Sequence, residues 1–237
     1  MSQEILVDDY TFNGVMLPPA AASVLAGPFA SKITKTAGSP SVSGVSGGGI
    51  ALALDNTNEA QNVCLYQGDV LPYSIDSLVQ VDIWATLTAS LAAAVSGAFG
   101  LATARNDAID SIAERALFQF SGNNNINIDA ADGVNSFTGK ATGLTLAATM
   151  AKFTMSFKEG IQTLAGALSK GGKANTIFSM ENSRGQLRRV VPNVQVDLSN
   201  YTGNLQLFAQ IQKTANAAVG TLKIRRMRVF YRLGPNP

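Results

Sequence analysis

A handful of side-chain groupings in the 237-residue sequence have types and spacings that chemistry would need. Gly166-Ala-Leu-Ser-Lys-Gly-Gly-Lys173 approaches a phosphate-cradling loop, in which backbone N–H groups and a lysine hold phosphoryl oxygens. It departs at the diagnostic positions. Gly172 stands where lysine is needed, Ala174 follows Lys173, and no helical period comes next, so an exposed turn is expected. Asp129, Asp132 and the Asn123–Asn125 run offer oxygens to a cation such as calcium, but without the alternating ligands and terminal Glu of an EF-hand loop. Turn chemistry is again the better account. Glycoside hydrolysis needs only two carboxylates and the chain has sixteen, yet nothing selects a pair and aromatic residues for a sugar platform are sparse. Asn200-Tyr201-Thr202 matches the glycosylation triplet, which has meaning only in a secreted chain.

Histidine is absent, which removes the commonest metal ligand and the usual general base. Cys64 is the single cysteine, so no internal disulfide forms. No catalytic, cofactor-binding or metal-binding set is therefore expected. Positive charge is concentrated late in the chain. From Arg184 onward nine Lys or Arg face one acid, a net +8, whereas residues 1–183 carry −6. Arg184, Arg188, Arg189, Arg225, Arg226, Arg228 and Arg232, with Phe230 and Tyr231 between the last of them, have the ingredients of a nucleic-acid face. Arg226, Arg228 and Arg232 share one strand parity, however, and Arg225 has the other. Some must find partners inside the sheet, and docking to a protein surface is the better expectation than nucleic acid.

The elements that would position these groups are strands. In Leu205–Leu233, Leu205, Leu207, Ala209 and Ile211 alternate with Gln206, Gln210 and Gln212, the period of two of a half-buried strand. Phe208 is the exception on the polar face. After a soft connection, Leu222 and Ile224 share a side, and the apolar phase then slips to Met227, Val229 and Tyr231. A step of three breaks a period of two, so a β-bulge is predicted at Arg225–Arg226. The two arms are expected to form a long hairpin covered by another sheet. Between Ser77 and Thr88, Val79, Val81, Ile83, Ala85 and Leu87 lie on one face. Trp84, the only tryptophan, falls on the other, polar face, where it is expected under an N-terminal arm, in a subunit contact, or buried within the monomer.

Upstream, the segment Val95–Thr103 is expected to pair with the Trp84 strand. Gly122-Asn-Asn-Asn125 reads as a hairpin turn between Leu117–Phe120 and Ile126–Ile128. Phe153, Met155 and Phe157 define a further strand, Ile161–Leu168 another apolar segment, and Asn182-Ser-Arg-Gly185 a turn. Residues 83–104 are uncharged, but their Thr, Ser and Gly content and their alternation fit a buried hairpin, not a membrane helix. Residues 1–49 differ in texture, with Pro18-Pro19, Gly27-Pro28 and Gly47-Gly48-Gly49 interrupting apolar residues that include Tyr10, Phe12, Leu17 and Phe29. Either an extended arm docked on its own body or on a neighbour, or an edge strand followed by an ordinary loop, is expected there, ahead of a domain over 50–237. Glu4, Asp8 and Asp9 give the N-terminus the wrong sign for a secretory signal. Some ten short strands with almost no helical period predict an all-β antiparallel sandwich of jelly-roll or lectin-like type.

The runs Phe157-Lys-Glu-Gly-Ile-Gln-Thr-Leu, Lys170-Gly-Gly-Lys173, Met180-Glu-Asn-Ser-Arg-Gly185, Asn200-Tyr-Thr-Gly203 and Arg225-Arg-Met-Arg-Val-Phe-Tyr-Arg232 resemble β-sandwich structural proteins of tailed-phage virions, most of all the capsid decoration or cement class. The resemblance spans about residues 75–233 and rests on texture, so it transfers no functional residue. It implies a non-enzymatic protein, made in the host cytoplasm and placed on the capsid exterior. It also implies a homo-oligomer, a trimer above others, bound to the lattice of the major capsid protein. Tyr10, Phe12, Leu17, Phe29, Trp84, Arg184, Arg188, Arg189, Arg225, Arg226 and Arg228 are the expected partner contacts. A carbohydrate- or receptor-binding virion module, or a tail or baseplate component, is the alternative.

Overall fold

The computed structural model describes residues 5–12, 28–88, 91–146, 148–157, 173, 176–182, 185–189 and 196–232, with only the backbone of 187–189. Among them sixteen strands form two antiparallel sheets. The first runs β14 (Leu187–Arg189), β13 (Ile177–Glu181), β12 (Ala151–Ser156), β7 (Leu78–Leu87), β16 (Gly220–Arg232), β4 (Ile50–Leu54) and β3 (Ser41–Gly44), and β1 (Ile5–Thr11) joins β16. The second runs β11 (Ser136–Thr145), β10 (Asn125–Asp132), β9 (Glu114–Ser121), β8 (Val95–Ala102), β15 (Asn204–Asn216), β5 (Glu59–Tyr66) and β2 (Ala30–Lys35), with β6 (Tyr73–Ser74) on β15. The protein is an antiparallel β-sandwich, as its alternation predicts.

Alternation explains why the two sheets face each other. Val81, Ile83, Ala85 and Leu87 of β7 and Leu207, Ala209 and Ile211 of β15 turn inward and are buried. Each large apolar side chain removed from water in this way contributes about 1.5–3 kcal/mol. Phenylalanines tie the layers together. Phe153 of the first sheet meets Phe99 and Phe118 of the second edge to face, at 4.9 Å in both cases, and Phe178 meets Phe118 at 5.1 Å. No helix among the described residues is long and apolar enough to cross a membrane.

The predicted bulge is present. Ile224 pairs with Ala85 and Arg226 with Trp84, leaving Arg225 as the extra residue on β16. It falls where the neighbour on the other edge of β16 changes from β4 to β1, and Phe12 N–H donates to the Arg225 carbonyl at that junction (3.2 Å). The predicted hairpin between β15 and β16 is not formed. β15 pairs with β8, β5 and β6, and β16 with β7, β4 and β1, so residues 217–219 carry the chain from one sheet to the other. Likewise β8 lies in the sheet opposite β7 and does not pair with the Trp84 strand. Period-two sequence shows that a strand has one buried face, and two strands facing each other across a core carry the same signal as two paired ones.

The Gly122–Asn125 turn joins β9 to β10 as expected, with Asn123 and Asn124 at φ of 65° and 58°. Asn124 is buried, and it accepts from Leu91 N–H (2.8 Å) while donating to the carbonyls of Thr88 (3.2 Å) and Leu146 (2.8 Å). Residues 1–49 do not stand apart in their described portion. β1, β2 and β3 belong to both sheets, and the boundary expected at residue 49 separates two paired strands, β3 and β4. The expected segment Ile161–Leu168 lies outside the described residues.

Phe208 marks a second, smaller core on the outer side of the second sheet. It packs with Ala30, Cys64, Tyr66, Ala98, Ala102 and Leu117 beneath Ile109 and Ile112, which frame a 3-10 turn, Ile109–Ser111. The connection between β8 and β9 thus lies across the sheet and takes up buried Gln210 through the Asp107 carbonyl, while buried Gln206 on the same face is held by Gln67 and Asp69 of the β5–β6 connection.

Candidate functional site

The outward face of the first sheet is built in rows set by strand register. Glu181, Lys152, Trp84, Arg226 and Thr11 lie side by side on β13, β12, β7, β16 and β1. Next to them run Ser179, Thr154, Asp82, Arg228 and Asp9 on the same strands. The bulge at Arg225 puts Arg226 and Arg228 onto this face, because without it the phase of β16 would turn them the other way.

On one side of Trp84 is a cation cluster. The guanidinium carbons of Arg226 and Arg228 lie 5.2 and 5.6 Å from the indole centroid, within cation–π range. Asp9 bridges both: Arg226 Nε donates to Oδ1 at 2.8 Å, Arg226 also pairs with Oδ2, and Arg228 reaches Oδ2 at 3.1 and 3.2 Å. The Arg226 hydrogen bond, with the added charge of Arg228, pulls the Asp9 carboxyl down to about 2. Asp82 is buried beside them, accepting from Thr154 (2.6 Å) and Gln80 (2.9 Å).

On the other side Trp84 borders a cleft of about 300 Å³, lined also by Met150, Lys152, Glu181, Asn182 and Gly185. Lys152 Nζ and Glu181 Oε2 pair across it at 2.6 Å. Asn182 and Gly185 belong to the expected turn, closed by Gly185 N–H to the Asn182 carbonyl (3.0 Å), with Gly185 at φ 72°. The cleft has an aromatic wall edged by the Lys152–Glu181 pair and by Asn182, whose amide is held by Gln186. That set suits a ligand with one apolar face and hydroxyls at its edge.

Of the expected contacts, this face holds Trp84, Arg226 and Arg228, and it leaves Arg225 exposed at the bulge. Arg188 and Arg189 sit on β14 opposite Met180 and Ser179, their side chains outside the described residues, as are Leu17 and Arg184. Phe12 and Phe29 are each 1% exposed and pack edge to face at 5.3 Å, so they are core residues and not partner contacts. Tyr10 is half-buried on the same cluster, its hydroxyl 2.8 Å from that of Tyr73. Burial raises both phenols. Asp9, Glu181 and Asn182 are functional-face residues that the sequence did not single out. Asp129 and Asp132 serve the fold: Asp129 pairs with Arg115, and Asp132 accepts from the backbone of Val134, Asn135 and Asn200.

No protein-family model matches the sequence, and no curated protein does. Solved structures share the fold. A protein of unknown function from Shewanella oneidensis is 11% identical with a TM-score of 0.57, covering 100% of this chain and 90% of its own. Peanut lectin is 11% identical (TM-score 0.54, 98% of this chain and 100% of its own). A β-glucanase from Bacillus licheniformis is 9% identical (0.55, 94% and 97%). At such identities the likeness is one of fold.

Proposed function

We propose that the protein is a non-catalytic recognition module that binds carbohydrate at the Trp84 cleft. One observation carries this reading: the single tryptophan stands on an outward polar face, forms the wall of a cleft, and has charged and amide groups at its edge. Sugar rings present an apolar face to an indole and hydroxyls to such groups. Lectins have this fold, and one has been solved with galactose, but at 10% identity Trp84 bears the weight. Binding without turnover fits the carboxylates. Glu181 is held by Lys152, and Asp82 is buried under Thr154 and Gln80. Two strand spacings and two residues separate them, roughly 12 Å between Cα atoms. A glycan array with the native protein and Trp84→Ala tests the reading. Saturable binding to a subset of glycans, weakened at least tenfold by the substitution, is expected. No saturable binding, or binding indifferent to Trp84, refutes it.

Docking on a capsid lattice as an oligomer is a second reading, favoured by Ile5 and Val7, which stand 49% and 47% exposed on β1. Deleting residues 1–35 does not test it cleanly, since that removes β1 and β2 from the sandwich. Ile5→Lys with Val7→Lys does. Capsid occupancy seen by particle imaging, and lost in this variant, supports the reading, and absence of the native protein from particles ends it.

A further inference from the structure

Trp84 is the only tryptophan, and whatever holds its ring decides whether the cleft beside it has a firm wall. The polar groups around it are occupied by one another. Lys152 pairs with Glu181, Asn182 with Gln186, and Asp82, two residues back on β7, with Thr154 and Gln80. The groups that do meet the indole are Arg226 and Arg228, on the side away from the cleft and within cation–π range. Arg228 reaches a second ring as well, its guanidinium carbon lying 5.7 Å from the Phe230 centroid.

Two guanidiniums on one face of one strand repel each other. Their side chains are only 33% and 26% exposed, so water screens that repulsion in part. A carboxylate shared between them turns repulsion into attraction. Asp9 stands opposite Arg228 and beside Arg226 on β1, and among the described residues it is the acid in ion-pair contact with either of them. Its own side chain is tied in turn, because the Thr11 hydroxyl donates to Oδ1 at 3.4 Å. Asp9 itself does not line the cleft.

We propose that Asp9 is a positioning residue for the Trp84 site: by bridging Arg226 and Arg228 it holds both guanidiniums against one side of the indole and so fixes the ring as the cleft wall. The consequence for ligand binding rests on the Trp84 reading, whereas the position of the ring rests on the contacts alone. The cleft thereby depends on the first strand, since the bridging carboxylate comes from β1 and the wall stands on β7, with β16 between them.

A single tryptophan makes the position of the ring directly readable. The test measures Trp84 emission, and its quenching by acrylamide, on the full chain in native form and with Asp9→Asn, Asp9→Glu and Asp8→Asn. Asp8 is the control, because its carboxylate ties the same strand to the body from the inward side, through Tyr10, Tyr73 and Tyr231. Asp9→Asn keeps the size of the side chain and removes its charge. It is expected to shift the emission and to raise the acrylamide quenching constant at least twofold. Asp9→Glu should restore most of the native signal, and Asp8→Asn should leave it native. On the glycan array, Asp9→Asn should keep the native selection of glycans with apparent affinity about three- to tenfold lower, the order of one cation–π contact. Should Asp9→Asn fail to fold, Arg226→Gln with Arg228→Gln decides, with the same shift expected. Native emission in these variants would overturn the proposal. So would a change in Asp8→Asn as large as in Asp9→Asn, since docking of β1 as a whole would then set the ring. Array binding left unchanged by Asp9→Asn would overturn the link to the ligand. Failure of the Trp84 reading shows separately, as array binding untouched by Trp84→Ala, and leaves the emission test in force.

Discussion

Arg115 and Asp129 form an ion pair with almost no water around it, and the two halves of the pair differ in a way that pH can expose. Arg115 is 5% exposed and Asp129 0%, and Arg115 Nε donates to Asp129 Oδ1 at 2.9 Å, while the guanidinium also reaches the Ile112 carbonyl. Asp129 Oδ2 makes no hydrogen bond among the described residues. Burial therefore raises the Asp129 carboxyl above its ordinary value in spite of Arg115, with Asp110 adding to the effect. Removing one member of such a pair costs about 3–5 kcal/mol. Asp129→Ala strands a guanidinium that cannot shed its proton, so its deficit should be about the same at pH 7 and pH 5. Arg115→Met strands a carboxylate that can be neutralised. Its folded pKa then lies well above the unfolded value, the folded state binds the extra proton, and stability falls as pH rises between the two. Lowering pH from 7 to 5 should thus return up to about 1.4 kcal/mol per unit relative to the native protein. Replacing both by apolar residues should come within about 1 kcal/mol of native or better. Urea unfolding of all four proteins at both pH values is the assay. Equal pH responses of the two single variants would refute the reasoning.

Two further outcomes follow from the fold. Asn124→Gly keeps the positive φ but loses three side-chain hydrogen bonds, so a loss of about 2–3 kcal/mol in urea melts is expected, against almost none for Asn123→Gly at the exposed neighbouring position. Cys64 is fully buried and its thiol is pushed far up by desolvation, so a thiol-specific reagent should label it only as fast as the protein opens, and labelling at the rate of a free thiol would contradict the packing under Ile109 and Ile112.

What the sequence made legible was local, and what it hid was long-range. The slip from Ile224 to Met227 announced the bulge, and alternation put Trp84 and Arg226 on outward faces, because period and parity are carried within one strand. Sheet membership is not. β15 and β16 alternate as a hairpin would, yet each has both edges occupied by strands distant in sequence. The glutamines of β15 looked like a solvated face, but Gln210 is taken up by Asp107 of the β8–β9 connection and Gln206 by Gln67 and Asp69 of the β5–β6 connection, and both are buried. Phe12 and Phe29 looked available because nothing nearby in sequence buries them, and they bury each other.

Charge shows the same distinction with a functional consequence. Read along the chain, a basic end follows an acidic body, a polarity that would steer a docking partner. In space, β1 lies against β16 in antiparallel register, Asp9 opposite Arg228 and next to Arg226, so the acid at residue 9 is shared between the bases at 226 and 228. Part of the polarity is met inside the fold, at the two arginines that share Asp9. What remains outward around Trp84 is a compensated surface in which Arg226 and Arg228 support one side of the indole while Lys152 and Glu181 pair beside the other. A surface of that kind discriminates through shape and hydrogen bonding more than through net charge, which is the balance a neutral ligand requires, and for the same reason ligand binding there should depend only weakly on salt.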